Sequence, residues 1–418
     1  MEVSRMSKLE QLIDELCPDG IEYTPLWQVT VWDKRFNSVD NGKQSRIITY
    51  PYLLASDLFE LVQDTGNVFL LSTGEKTGWT TEHLAGDNMC TGEVVTIPWG
   101  KSRPVNEVMK YYKGKFVTAD NRIATSVDTN ILLNKYLYYW MLNEGETIDK
   151  FYRGSGIKHP SMNDVLNMKI PLPPLPVQEE IVRILDNFTA LTAELATELN
   201  AELNARKKQY EYYRESLLTF GDEVDWKPLS KIGPVCMCKR IMKSETNSGS
   251  GVPFYKIGTF GKEPNAFISI ETYEKYKNLY KFPKKGDILI SAAGTIGRTV
   301  VYDGKPSYFQ DSNIVWIEND ETQVLNSFLI QCYAMKPWFI SDGGTISRLY
   351  NDNILKAKIP VPPIQEQERI VEILDRFGKL YNDISQVLLV EIKTRQRQYE
   401  HYRDKLLTFK EKGVCLDE

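Results

Sequence analysis

KIPLPPLPVQEEIVRILDNFTALTAELATELNAELNARKKQYEYYRESLLTF, residues 169–220, decides how this chain folds, because it recurs at 358–409 as KIPVPPIQEQERIVEILDRFGKLYNDISQVLLVEIKTRQRQYEHYRDKLLTF. The offset is 189 positions, no gap is needed, and about half of the paired positions are identical. Self-similarity of this kind makes the chain a duplication, so a reading of one half applies to the other. Each copy opens with prolines, Pro171, Pro173, Pro174 and Pro176 in the first and Pro360, Pro362 and Pro363 in the second, which impose an extended arm. A helix is predicted directly afterwards, with Glu179, Glu180, Glu366 and Glu368 in its first turn, where the helix dipole favours negative charge. Apolar residues then recur three and four apart: Ile181, Ile184, Leu185, Phe188, Leu191, Leu195, Leu199 and Leu203, and in the other copy Ile370, Ile373, Leu374, Phe377, Leu380, Ile384, Leu388 and Ile392. Roughly 40 residues at 1.5 Å each give helices about 60 Å long, more than a small domain can cover. Each stripe needs a partner helix, and the economical partner is the other copy, in a coiled coil.

A doubled arm of the form PLPPLxxQ, followed by a long helix that closes on QYEYYR and LLTF, between two dissimilar segments, resembles the specificity subunit of type I restriction-modification systems. The resemblance covers the whole chain. It implies an α+β architecture of two mixed α/β target-recognition domains, each reading half of a split double-stranded DNA sequence, separated by two long helices. It also implies two methyltransferase subunits as partners, two restriction subunits in the full complex, and neither cofactor nor catalysis in this chain. One local departure stands out: the second copy has Glu366-Gln367, as the family usually does, and the first has Val177-Gln178. Because the copies align without a gap, an antiparallel pairing of the helices would create a pseudo-two-fold axis. The recognition domains would then lie at opposite ends of a rod about 60 Å long, one to two turns of DNA at about 3.4 Å per base pair.

The repeat divides the chain into an N-terminal helical segment (1–21), a first recognition domain (22–168), a first arm and long helix (169–221), a second domain (222–357) and a second arm and helix (358–418). IEYTPL at 21–26 echoes VDWKPL at 224–229, so both domains are expected to begin with the same strand. Leu9, Leu12, Ile13 and Leu16 predict a short helix stopped by Cys17-Pro18-Asp19-Gly20. It is expected to occupy, before the first domain, the place that a long helix occupies before the second. Strands are predicted at 46–52, 67–71, 93–98 and 115–118, with a helix at 132–142; in the second domain, strands at 254–257, 287–291, 299–302 and 313–317, with a helix at 324–335. Echoes such as GEVV at 92–95 with GDIL at 286–289 point to one fold carrying divergent loops.

Composition excludes little. The 418 residues carry a net charge of −5, which argues against DNA binding unless basic side chains are segregated; Glu194, Glu198 and Glu202 show acid concentrated on a helix. No apolar run reaches membrane-spanning length and MEVSRMSKLE is not laid out as a signal peptide, so a cytoplasmic protein without membrane contact is expected. Cys236 and Cys238 have no second pair or histidines at ligand spacing, which favours free thiols over a metal site or disulfides.

DNA-facing candidates come from polar loops. Thr73 to Trp79 carries Lys76, Thr77 and Trp79; Trp79 suits either groove contact or the cap of a core. Trp99-Gly100-Lys101-Ser102 looks like the end of a phosphate-binding loop, but the required glycine is Val95, so it reads as a strand-end loop offering Lys101, Ser102 and Arg103, or as a solvated turn. The corresponding SAAGTIGR at 291–298 offers Ser291 and Thr295 as hydroxyls and Arg298 to a phosphate or a guanine. Arg153 and Lys158, with Arg348 in the matching place, lie beside paired glycines next to the arms, and His159 among them reads as an ordinary surface histidine. Basic helix ends at Arg206, Lys207, Lys208 and Arg214 read rather as a solvated or partner-binding face. The tetrapeptide used in amino-methylation, a complete Walker motif and a nuclease cluster are all missing from the sequence, so no active site is expected. The rival readings are a coiled-coil scaffold whose α/β modules bind another ligand, and a fused methyltransferase.

Overall fold

The two proline arms become strands before they become helices. In the computed structural model, which describes residues 7–72, 74, 77–101, 103–119, 122–338 and 348–412, Lys169–Pro171 pairs antiparallel with Tyr23–Pro25, and Lys358–Pro360 with Trp226–Pro228. The register is the same in both: Tyr23 faces Pro171 as Trp226 faces Pro360. Prolines without N–H groups keep the ladders three residues long, and the long helices start soon after, at Leu175–Leu218 and Ile364–Leu407. The chain forms two compact units, residues 1–199 with 390–418 and residues 200–389, so each holds a segment of both helices.

Within each unit the helix segments run antiparallel and lock through aromatic stacks. In the first unit Phe188 stacks on Tyr402 at 5.8 Å and the Thr189 hydroxyl donates to Tyr399 Oη at 3.1 Å. In the second, Phe377 stacks on Tyr213 at 4.9 Å and Tyr210 on Tyr381 at 6.1 Å. Phe188 and Phe377 are repeat equivalents, as are Tyr402 and Tyr213, so each copy supplies the phenylalanine in one unit and the tyrosine in the other. The half-buried seam passes through Thr192, Leu195, Leu199 and Leu203. Leu191 and Leu380, expected in the stripe, are 62% and 56% exposed. They lie one position off a seam that takes Thr192 in the first copy and Tyr381 in the second instead.

Gln178 and Gln367, equivalent in the repeat, are wholly buried and perform the same task. Gln178 accepts from the Leu133 N–H at 3.0 Å and donates to the carbonyls of Ile131 at 2.7 Å and Pro173 at 2.8 Å. Gln367 accepts from the Leu325 N–H at 2.9 Å and donates to Gln323 and Pro362, each at 2.8 Å. Leu133 and Leu325 immediately precede the domain helices Asn134–Asn143 and Asn326–Ala334, so one amide ties arm, long helix and domain helix together. Gln367→Ala would orphan one N–H and two carbonyls in the interior, at about 1–3 kcal/mol per group. Urea unfolding should show a loss of about 3 kcal/mol or more, and Gln178→Ala a similar loss; a loss below about 1 kcal/mol would show that the amide is not the clamp. The neighbouring departure is absorbed locally. Val177 is buried in the first core, while Glu366 reaches Arg369 at 2.6 Å.

The N-terminal helix, Lys8–Leu16, forms behind a Ser7 capping box, but it does not take the place expected of it. That place is filled by the end of the second long helix: Leu406, Leu407 and Phe409 pack into the first core as Leu217, Leu218 and Phe220 pack into the second. The tail beyond pairs with residue 21, the Ile21 N–H reaching the Lys410 carbonyl at 2.9 Å and the Lys412 N–H the Ile21 carbonyl at 3.0 Å. Gly20, at φ +90°, allows this approach, since a Cβ would lie 2.8 Å from the Lys410 oxygen. Both copies end in LLTF, and each end covers the equivalent apolar surface of its own unit. The short helix is an addition, held by Leu9 and by the Lys8–Glu180 pair at 3.0 Å. The Arg183 guanidinium, helped by Lys8, holds the Glu180 carboxyl down to about 2.

The domain cores share four strands. In the first unit these are β1 (Thr30–Trp32), β2 (Cys90–Ile97), β3 (Lys110–Ala119) and β4 (Arg122–Ser126), ordered β1-β4-β2-β3 with antiparallel neighbours. In the second they are β5 (Val235–Cys236), β6 (Ile288–Ser291), β7 (Thr299–Val301) and β8 (Ile314–Ile317), ordered β5-β8-β6-β7, again antiparallel. Around this core the units diverge. The first sheet continues through Val68–Leu71 to an edge strand, Gly78–Thr80. The second unit carries a separate sheet that includes Val252–Tyr255. Of the strand expected at 46–52, only Tyr52 lies in a strand, Tyr52–Leu53, because the rest of the segment has no continuous partner.

Candidate nucleic-acid interface

β2 and β6 are equivalent, and the loops that leave their C-terminal ends collect most of the candidate residues. In the first unit residues 98–101 lie against the hairpin formed by Tyr152–Arg153 and His159–Pro160. The Lys101 N–H donates to the Lys158 carbonyl at 3.1 Å, and Gly100 permits the contact, since a Cβ there would meet the Ile157 side chain at 2.5 Å. Trp99 packs against the His159 ring at 4.3 Å, and His159 Nδ1 lies 2.9 Å from the Trp99 carbonyl oxygen. His159 is therefore a brace of the loop. Lys101 and Arg153 are thus brought together with Lys158, and Arg103 follows on the same loop.

The roles separate once partners are considered. Lys101 is turned inward: its ammonium pairs with Asp149 and lies 5.1 Å over the Tyr152 ring, with 14% of the side chain exposed. Arg153 pairs with Asp164 at 2.9 Å yet keeps 73% of its side chain in solvent, and Lys158 and Arg103 are exposed. Lys76 and Ser102 lie outside the described residues. Thr77 is exposed, and Trp79 stands on the edge strand away from this loop, edge-on to Phe69 at 5.3 Å and 44% exposed. Trp79 caps an aromatic cluster with one face and leaves the other open to solvent. Between Val68–Leu71 and the edge strand Gly78–Thr80, Lys110 donates to the carbonyls of Ser72 and Gly74, and burial lowers its ammonium to about 8.

In the second unit the 292–298 loop is stapled from below. Ser291 is 1% exposed; its hydroxyl accepts from the Arg298 N–H at 2.8 Å and donates to the Thr295 carbonyl, so it shapes the loop and offers nothing outward. Arg298 is half-buried and donates to the Phe260 carbonyl at 2.8 Å, while Thr295 is exposed at the tip. Arg348 donates to the Ser312 carbonyl at 2.8 Å, and the next residue, Leu349, bonds through its N–H to the Ala292 carbonyl. Ser291, Thr295, Arg298 and Arg348 thus cluster around one strand end.

Sequence reading missed the basic residues beside them. Arg240, Lys243 and Lys256 join Arg348 around a cavity of about 390 Å³. A signal was present: Lys34-Arg35 follows β1 as Lys239-Arg240 follows β5, a Lys-Arg pair after the first core strand of each half. Cys236 and Cys238 are buried free thiols, and burial pushes Cys238 up to about 12. Among the described residues no group of three His, Cys, Asp or Glu could hold a metal ion, and no helix is long and apolar enough to cross a membrane.

Comparison with known proteins agrees with this geometry. The family profile of the type I restriction modification DNA specificity domain matches twice, at 62–205 and 223–394. A chain assigned to the type I restriction enzyme specificity subunits, S.HindORF215P of Haemophilus influenzae, is 50% identical over 76% of this chain and 83% of its own length. The specificity subunit of the EcoR124I/EcoR124II enzyme of Escherichia coli is 31% identical over 97% of this chain and 98% of its own. Among solved structures, a chain from a study of complex assembly and conformational transition of the type I R-M system superposes with a TM-score of 0.63 at 17% identity. That superposition covers 93% of this chain and 98% of the other, and shows the shared fold.

Proposed function

The chain belongs to the type I restriction-modification DNA specificity family, and on that premise we propose that it reads one double-stranded DNA site in two halves, one per unit, without chemistry of its own. The observation that carries this reading is the repeated four-strand core, identical in order and strand direction, with unlike loops at the same strand end. A common frame carrying different surface chemistry is what two different half-sites require. Exposed cations at those loops, Lys158 and Arg103 in one unit and those around Arg348 in the other, supply the phosphate attraction that the net charge of −5 would otherwise deny.

The duplicated helices supply two equivalent docking places for methyltransferase subunits, and the full complex adds two restriction subunits. The number of unread base pairs between the half-sites is set by the helices that join the units. Because the units differ in their loops, the half-sites are unequal. The test is binding by the complex of this chain with its methyltransferase subunit to a randomised duplex library, followed by methylation mapping. Two short sequences separated by a fixed unread stretch are expected. Equal, weak binding to every duplex would favour a scaffold for another ligand, and methyl transfer by the isolated chain would make it an enzyme.

A further inference from the structure

One cavity in the second unit is built differently from the rest of its surface. Three separated stretches converge on it: the segment after β5 with Arg240 and Lys243, the end of Val252–Tyr255 with Lys256, and the turn before β8 with Asp311 and Ser312. Arg348 closes the circle. Four cations thus face one carboxylate across about 390 Å³, and among the described residues Lys243 and Lys256 make no ion pair. In a chain of net charge −5 this is a strong local reversal of sign, and a concave one, where field lines are focused.

The turn itself is held in an unfavourable conformation. Ser312 has φ +60°, in the left-handed region that a serine rarely adopts, and the Arg348 guanidinium grips its carbonyl at 2.8 Å. Strain over-determined by a neighbouring cation is a mark of binding sites. The carboxylate beside it accepts from the Ser312 hydroxyl at 3.3 Å and, more closely, from Arg240. Asp311 Oδ2 takes the Arg240 Nε at 2.8 Å, on a side chain 67% exposed, which fixes the guanidinium plane while its two terminal nitrogens form a fork. A fork held at Nε matches the O6 and N7 acceptors on the major-groove edge of guanine; it would also take a phosphate bidentately, and loss of discrimination at one base separates the two.

We propose that this cavity is the second unit's DNA-reading surface, with Arg240, oriented by Asp311, recognising a guanine and with Lys243 and Lys256 neutralising phosphates on either side. The proposal rests on the DNA-reading function above and adds the residues and the base. Arg348 is a positioning residue, acting through the Ser312 turn.

The test uses the complex with its methyltransferase subunit and compares wild type, Arg240→Ala, Arg240→Lys and the pair Lys243→Ala/Lys256→Ala on a library randomised at every position of the site. For Arg240→Ala, discrimination at one guanine of the second half-site should fall by about 5- to 150-fold, with the first half-site unchanged. Arg240→Lys keeps the charge but lacks the fork, and should lose the same discrimination with less loss of overall affinity. The double lysine variant should bind all sequences more weakly and reduce the salt slope by about 2. Uniform weakening by Arg240→Ala, or preferences unchanged in every variant, would overturn the assignment while the wild-type complex still bound a two-part site. If wild type itself shows no two-part preference, the functional reading fails and takes this proposal with it.

Discussion

Exchanging residues 22–168 for the matching segment of another family member should change one half of the methylated sequence completely and leave the other half as it was. Part of the seam with the rest of the unit supports this, because it is made by main-chain groups of the incoming domain; the side-chain part, such as Lys135 and Tyr139 on Asp186, has to be matched by the incoming segment. Gln178 bonds the Leu133 N–H and the Ile131 carbonyl, and the Tyr23–Pro25 ladder bonds the arm strand; neither depends on which side chains follow. The apolar surface that receives Leu407 and Phe409 must keep its shape, and volume-conserving differences there should cost less than about 1.5 kcal/mol. Genome-wide methylation mapping before and after the exchange checks the result, and a change in both half-sites would end the modular view.

Lengthening the helices should alter spacing and leave sequence preference alone. Each unit holds segments of both helices locked by its own stacks, Phe188 on Tyr402 and Phe377 on Tyr213. Four residues added after Leu199 only would draw one helix past the other, so the insertion has to be matched by four after Leu389. Four residues nearly preserve the helix face and add about 6 Å. The unread stretch should then grow by about one to two base pairs at 3.4 Å each, with both half-sites intact. Insertions of two residues at the same places rotate the seam away from its partner by roughly half a turn and should leave little folded protein. An unchanged spacer in the four-residue variant would show that something other than these helices sets the distance.

The duplication, the arms and the long helices were legible because they are periodic: proline clusters, a three-and-four apolar spacing and a gapless offset each have one structural meaning. The central strands at 93–98, 287–291 and 313–317 were legible for a similar reason, since Val94, Val95, Leu289, Ile290 and Val315 are fully buried in continuous β-branched or apolar runs. The helix Ile270–Leu279 was not foreseen, because only Tyr273 of it is buried and no apolar stripe advertises it.

What the sequence by itself determined, then, is that this chain is a duplicated frame of two α/β domains on long helices, because the pattern of burial along one element is written in that element. Tertiary structure alone decided which polar residues are available. Lys101 and Ser291 look as exposed in sequence as Lys158 and Thr295, but Asp149 and the Arg298 N–H, far away or across a turn, turn them inward. Arg240, Lys256 and Arg348 are more than ninety positions apart from end to end and become one site only when three loops meet. The C-terminal LLTF displaced the N-terminal helix from its expected place for the same reason: which of two apolar ends covers a surface depends on chain geometry that no local pattern contains.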